Sequence, residues 1–370
     1  MGANGFVGER LQLAREFKGL TQTDLGGKVA ASPTLISLLE RNKKVEAPPT
    51  DLVLAFAEVL GFHASFFYER IDDPFKEEEC NFRHRRTAPE KIKSRVRAHA
   101  TLLGEVVAKL ATQFKFPDFN VPAIPVSGVE GIEEAAEACR QHWSLGLDSP
   151  IMHMGRVLEH AGVLIITGIV DAKKIDAFSR KGKTTLIFLN QYIQSSSRWA
   201  FDLGHECGHL VLHTGIQTGS KATEAEADRF ASAFLLPERA FRREFGMSRR
   251  ISWPHVFELK RRWRVSAAAI VRRAYDLGVI DPSAYRHACQ YISLKKWNQG
   301  EPQEPHFQEP ELFIPALLSL GTSVNMTMRE LCEGLHFSVE AFTEVTGQSI
   351  PKEAVSGSSI LQFRARRHDF

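Results

Sequence analysis

Residues 197–210 read Ser197-Arg198-Trp199-Ala200-Phe201-Asp202-Leu203-Gly204-His205-Glu206-Cys207-Gly208-His209-Leu210. Their apolar positions recur with helical period, which predicts a helix over 197–213. His205 and His209 then lie one turn apart on one face, so both imidazoles can reach one ion. Glu206 points to the flank of that face, where it can take a proton from a water. Zinc takes four N, S or O ligands and a catalytic site keeps one position for water, so one more protein ligand is required.

Working outward, Glu224-Ala225-Glu226-Ala227-Asp228 lies on a second predicted helix, 222–235, after the Gly219-Ser220 turn. Glu224 is the expected third ligand, and Asp228, four residues on, the acceptor that orients a ligand histidine. Glu226 is the fallback ligand; it lies on a different face, so the two glutamates cannot both ligate. His213 is about 12 Å from His205 along a straight helix, too far to share an ion unless the chain unwinds at Thr214-Gly215. Zinc is the expected ion, and manganese suits the same donors. With Glu206 as general base and an ion polarising the scissile carbonyl, the parts point to metal-dependent peptide hydrolysis. Tyr192 and His213 are candidate donors to the oxyanion, each with a purely structural alternative.

Before this helix come short, β-branched apolar runs. Strands are predicted at 162–169 and 184–190, with a third at 177–179. Longer amphipathic helices are predicted at 94–114 and 131–142.

Together, Asp176-Ala177-Phe178-Ser179, the strand ending at Asn190, the 197–210 helix, Glu224 to Ala231 and Phe234-Leu235-Leu236-Pro237 resemble the ImmA/IrrE family of zinc metallopeptidases. Trp263-Arg264-Val265-Ser266, Arg272, Leu277-Gly278 and Trp297 up to Glu301-Pro302 extend the resemblance over about residues 130–302. It implies a gluzincin-like peptidase whose substrate is a helix-turn-helix repressor, cut to release stress or mobile-element genes. It also implies that the 184–190 strand is the edge to which an extended substrate adds. The chain departs from the family at Gly204, where alanine is commoner, and at Cys207, where a small or apolar residue is. Cys207 is read as a buried inert thiol, with a redox-sensitive site as the alternative.

At the other end of the chain, residues 8–70 read as four or five short helices. Thr21 caps one, with Asp24 at its N3 position; Ser32 caps the next, with Pro33 behind it, and Asn42 can turn left-handed where that helix stops. Leu25, Val29, Ile36 and Leu39, with Leu52, Phe56 and Leu60, form the inward stripe. This pattern resembles the Xre/Cro-type helix-turn-helix. The resemblance implies a second helix that enters the major groove of double-stranded DNA through Thr34, Leu35, Ser37, Leu38 and Arg41, with Gln22, Lys43 and Lys44 near phosphates. The family has alanine at Gly26 and glycine at Ala30, and the leucines are poor base readers. Docking to another repressor is therefore the alternative to DNA binding.

The expected class is α+β and mostly helical. It comprises a five-helix N-terminal domain (1–72), a basic linker and connecting helix (73–125), a metallopeptidase domain with a small sheet (126–302) and a helical C-terminal segment (303–370). Phe116–Pro125, with three prolines, is expected as extended linker. The C-terminal segment has predicted helices at 312–320, 328–335 and 339–345, a pattern that fits a sensor, docking or oligomerisation role. In 370 residues, 47 Lys+Arg stand against 44 Asp+Glu, which argues against a polyanion-coating protein. Basic residues nevertheless cluster at 83–97 and 260–273, as a nucleic-acid surface, and a single-stranded DNA trigger, would require; solvated helix faces read the same way. No apolar run is long enough to span a bilayer, no signal pattern opens the chain, and the five cysteines are scattered. Those features predict a cytoplasmic protein with reduced thiols, away from membranes, and leave a homodimer open.

Overall fold

The structure, a computed structural model, describes residues 5–42, 47–75, 89–126, 128–167, 177–190, 195–216, 218–246, 250–324 and 326–348. Four helices open the chain: α1 (Gly8–Phe17), α2 (Gln22–Lys28), α3 (Pro33–Glu40) and α4 (Thr50–Leu60), followed by a 3-10 turn, Ala64–Tyr68. Thr21 and Asp24 form a reciprocal capping box on α2, and Ser32 caps α3. Between them Ala30 is left-handed (φ 52°), and Ala31 N–H donates to the Gly26 carbonyl at 2.9 Å, which closes α2 in a Schellman turn. A Cβ on Gly26 would lie 2.5 Å from the Ala31 carbonyl oxygen, so the glycine there is a requirement of this tight turn.

Helix α5 (Glu90–Ala111) starts after Pro89, four residues before the expected 94, because its largely charged first turn carries no apolar period. Next come α6 (Gly128–His142) and α7 (Met154–His160), then a three-stranded sheet of β1 (Val163–Thr167), β2 (Ala177–Arg180) and β3 (Thr185–Leu189). The strand order is β1-β3-β2, with β1 parallel and β2 antiparallel to β3. The expectation that the 184–190 strand is a free edge is therefore corrected: β3 is central, hydrogen-bonded on both sides. Among the described residues the edge strand packed against the next helix, α8 (Ser196–Leu212), is β2.

The rest of the fold is helical: α9 (Lys221–Leu235), α10 (Glu238–Phe245), α11 (Trp253–Trp263), α12 (Ala267–Asp276), α13 (Pro282–Leu294), α14 (Phe313–Ser323), α15 (Met328–Leu335) and α16 (Val339–Thr346). The sheet partitions the molecule. Leu164, Ile166, Leu186 and Phe188 join a core shared with α1–α5 and α14–α16. Their alternates Val163, Ile165, Ile187 and Leu189 join a second core built from α6–α12. Burial on both faces is why these strands read as continuous apolar runs.

The N-terminal module, connecting helix and C-terminal segment, separate units by composition, thus share one core. His99 on α5 contacts the Val345 carbonyl at 2.6 Å, His63 N–H donates to the His336 carbonyl, and Lys18 pairs with Glu344 at 2.6 Å. The 116–125 segment is extended, as its prolines require, but it is also tied down: Ile124 N–H donates to the Val211 carbonyl at the end of α8.

Candidate metal centre

The site is carried by α8 and α9, a helical pair that approaches closely because small residues face each other. A Cβ on Gly208 would lie 3.1 Å from Ala227 Cα, and one on Gly204 3.3 Å from Ala231 Cβ. Larger side chains at either glycine would separate the helices that the site needs together. Each helix start is capped by serine: Ser195 accepts from Arg198 N–H, and Ser220 from Thr223 N–H.

Within this pair His205, Glu206 and His209 are all buried. His205 Nε2 lies 3.1 Å from His209 Nε2, and Glu224 lies 3.5 Å from the first and 3.3 Å from the second. Four-coordinate zinc with bonds of about 2.0–2.1 Å sets its ligand atoms about 3.3 Å apart. The 3.5 Å distance is to Glu224 Oε2 and the 3.3 Å distance to Oε1; with one atom taken from each residue all three lie within 4.8 Å of one another, so they can converge on one ion, and the donor set, two imidazoles and a carboxylate, suits zinc or manganese. Burial raises the Glu224 carboxyl, but hydrogen bonds from both imidazoles outweigh it and hold the group at about 2. Burial likewise lowers the proton affinity of His209 and His213, against the opposing pull of Glu224 and Glu226.

The remaining polar groups form a ring around this set. His205 Nδ1 lies 2.8 Å from the Asp228 carboxylate, the contact expected of a ligand-orienting acceptor. His213 is behind His209, its Nδ1 2.9 Å from His209 Nδ1, and its Nε2 is 2.9 Å from Glu226. Glu226, the fallback ligand, thus bonds a histidine outside the ligand set. Cys207 is fully buried and burial pushes its thiol well above the ordinary range, so it is no reactive nucleophile.

Sequence reasoning missed the anchor at the start of α8. Glu304 accepts from Ser197 N–H at 2.7 Å and from the hydroxyls of Ser195 and Ser197, while the buried Lys260 ammonium donates to Glu304 and Glu301 at 2.6 and 2.7 Å. Burial raises the Glu304 carboxyl, and Lys260 and Ser197 together pull it below the usual range. The sequence shows these acids only as part of a proline-rich break, with no local sign of their partner forty residues earlier.

Most cations of the 260–273 basic stretch are engaged within the protein. Lys260 and Arg273 are buried, Arg273 bidentate on Glu133; Arg262 pairs with Glu244, Arg272 with Asp276, and Arg264 donates to the His306 carbonyl. Arg261 is exposed. In the N-terminal module Thr34, Leu38 and Arg41 are exposed and Ser37 partly so. Leu35 packs against the core, and Gln22 donates to Glu40 at 2.7 Å, within a buried Arg15–Glu40 pair. Lys43, Lys44, Arg83–Arg86, Asp176 and Tyr192 lie outside the described residues.

No helix among the described residues is long and apolar enough to cross a membrane. No curated protein matches the chain. Residues 158–275, from the end of α7 through the metal centre to α12, match the family model described as the IrrE N-terminal-like domain, of the peptidase M78 family.

Proposed function

We propose that this chain is a cytoplasmic, metal-dependent endopeptidase that cleaves a partner helix-turn-helix repressor in response to stress or foreign DNA. The observation that carries the reading is the convergence of His205, His209 and Glu224 at 3.1–3.5 Å beside a buried Glu206. A zinc or manganese ion held by those residues supplies Lewis acidity towards water and the scissile carbonyl. Glu206, next to His205 on the flank of the ligand face, takes the proton of the attacking water and passes it to the leaving amine. Asp228 keeps the His205 ring turned so that Nε2 faces the site. An extended substrate adds along the β2 edge, the described edge nearest α8, rather than along β3.

The N-terminal module fits a protein-docking role as well as a DNA-reading one. The favouring observation is the face of α3, where Leu38 is 38% exposed and Leu35 half-buried, with few hydrogen-bonding groups for base edges. The decisive experiment mixes the purified protein, loaded with zinc or manganese, with the repressor encoded beside its gene. Cleavage that disappears in Glu206→Gln is the expected result. Repressor cleavage and gene induction that both survive that substitution would show that the peptidase fold serves as a scaffold. Binding of double-stranded DNA that weakens steeply with salt supports the reader role, and repressor binding without it supports docking.

A further inference from the structure

A partly open cavity of about 310 Å³ is lined by α1, the stretch after the 3-10 turn, α5, the β2–β3 turn and the end of α15. None of the metal-centre residues lines it. Its size falls at the lower end of the range for small-molecule sites. Two glycines make room for cations in its lining. A Cβ on Gly104, in the interior of α5, would collide with Arg180 Nη1, and one on Gly334 in α15 would lie 3.0 Å from Lys109 Cε. Alanine favours a helix interior over glycine, so the space left for the Arg180 guanidinium accounts for Gly104.

The charges around this cavity do not cancel. Arg10 pairs with Glu105 at 2.8 Å, Arg180 with Asp73 at 2.7 Å, and His336 lies 3.6 Å from Glu69. Arg70, Lys109 and Lys183 are left without an ion pair among the described residues, against one unpaired acid, Asp72. Three cations less one acid leave an excess of two positive charges. Arg180 is 2% exposed, and among the described residues nothing accepts from its Nε. A phosphate monoester is close to a dianion at neutral pH and balances that excess, whereas a single carboxylate does not. Guanidinium and ammonium groups hold such oxygens through charge-assisted hydrogen bonds. Val107, Leu186 and Leu335 add apolar lining, which suits an organic body attached to the anion.

We propose that this cavity binds a small organic phosphate, its anionic end held by Arg180, Lys109 and Lys183 and its body set against Val107, Leu186 and Leu335. The proposal goes beyond the metal-site reading and does not rest on it. Adenosine monophosphate is the probe, titrated calorimetrically into the full-length protein, with inorganic phosphate and adenosine as its two halves. Adenosine monophosphate should saturate one site, phosphate should bind more weakly, and adenosine should not bind measurably. Lys109→Gln and Lys183→Gln each remove one cation and should weaken the nucleotide about 10-fold. Lys181→Gln, in the same turn but outside the cavity lining and set over the Phe119 ring, should leave affinity unchanged. Ala108→Trp, at an exposed position of α5, fills the cavity and should abolish binding while helical content is retained. The proposal is overturned if adenosine monophosphate fails to bind at millimolar concentration, or if its binding survives Ala108→Trp. It is equally overturned if Lys181→Gln weakens binding as much as Lys183→Gln, which would mean attraction to the general surface charge. Phosphate binding as tightly as the nucleotide would overturn the organic half of the assignment, and adenosine doing so would overturn the anionic half.

Discussion

The α8–α9 and α2–α3 pairs are both helical hairpins brought together by glycine, and they differ in what they enclose. Between α2 and α3 the buried residues are mainly apolar: Leu25 and Ile36 are fully buried, and the one buried acid of α3, Glu40, is paired with Arg15 and Gln22. Between α8 and α9 the interior holds two imidazoles and a glutamate, each less than 4% exposed. Buried polar groups persist where they are partnered, and here each ligand histidine has a partner at its outer nitrogen. A hairpin whose buried polar groups are paired within the protein offers its outer surface to a partner. A hairpin that encloses converging donors is built for chemistry.

The largest expected effect breaks the chemical hairpin without unfolding it. Glu206→Gln should lower peptide cleavage by about 10²–10⁴-fold, measured as initial rate at fixed metal, while helical content stays unchanged. Lys260→Met removes the buried cation that the half-buried Glu301 and Glu304 share at the α8 anchor. It should destabilise the protein by about 3–5 kcal/mol in denaturant titration. A full retention of stability would mean that α8 does not depend on that anchor.

His99 tests the core that the N-terminal hairpin shares with the C-terminal helices. Burial lowers its proton affinity to about 4, against the partial opposition of the Val345 carbonyl. From pH 6.5 down to 4 the unfolded chain therefore binds a proton that the folded chain refuses, so stability falls with falling pH across that window. The shift corresponds to about 3 kcal/mol, and the non-titrating His99→Gln should remove this part of the slope.

Glycine-to-alanine substitutions compare the two hairpins directly. At Gly26 the new Cβ meets a backbone carbonyl at 2.5 Å, whereas at Gly208 the nearest contact is 3.1 Å. Gly26→Ala should cost about 1–3 kcal/mol despite the better helix propensity of alanine, and Gly208→Ala less. The smallest effect is expected for Thr21→Ala, about 1 kcal/mol from the lost α2 cap, with no change in metal affinity.

Much of this was legible in local pattern. Capping residues, the left-handed positions at Ala30 and Asn42, and the one-turn spacing of His205 and His209 depend on neighbours within a few residues, which a sequence displays. The helix start at Glu90 was hidden because its first turn is charged. Strand order was illegible for a different reason: β1 and β3 are equally apolar, each four apolar residues and a threonine, and nothing local says which is central and which at an edge. The 260–273 cations looked like a surface because their partners, Glu133, Glu244, Glu301 and Glu304, come from distant segments.

The sequence by itself determined the helical periods, the caps and turns, and a histidine pair spaced to share one ion with a neighbouring glutamate, because each is set by spacing along one helix. Only the tertiary structure decided that β3 is enclosed, that the C-terminal helices complete the N-terminal core, and that Glu226 meets His213 rather than the His205–His209–Glu224 set. Those outcomes depend on which segments meet in space, and the burial and hydrogen bonding that select such meetings act between residues whose separation in sequence carries no signal.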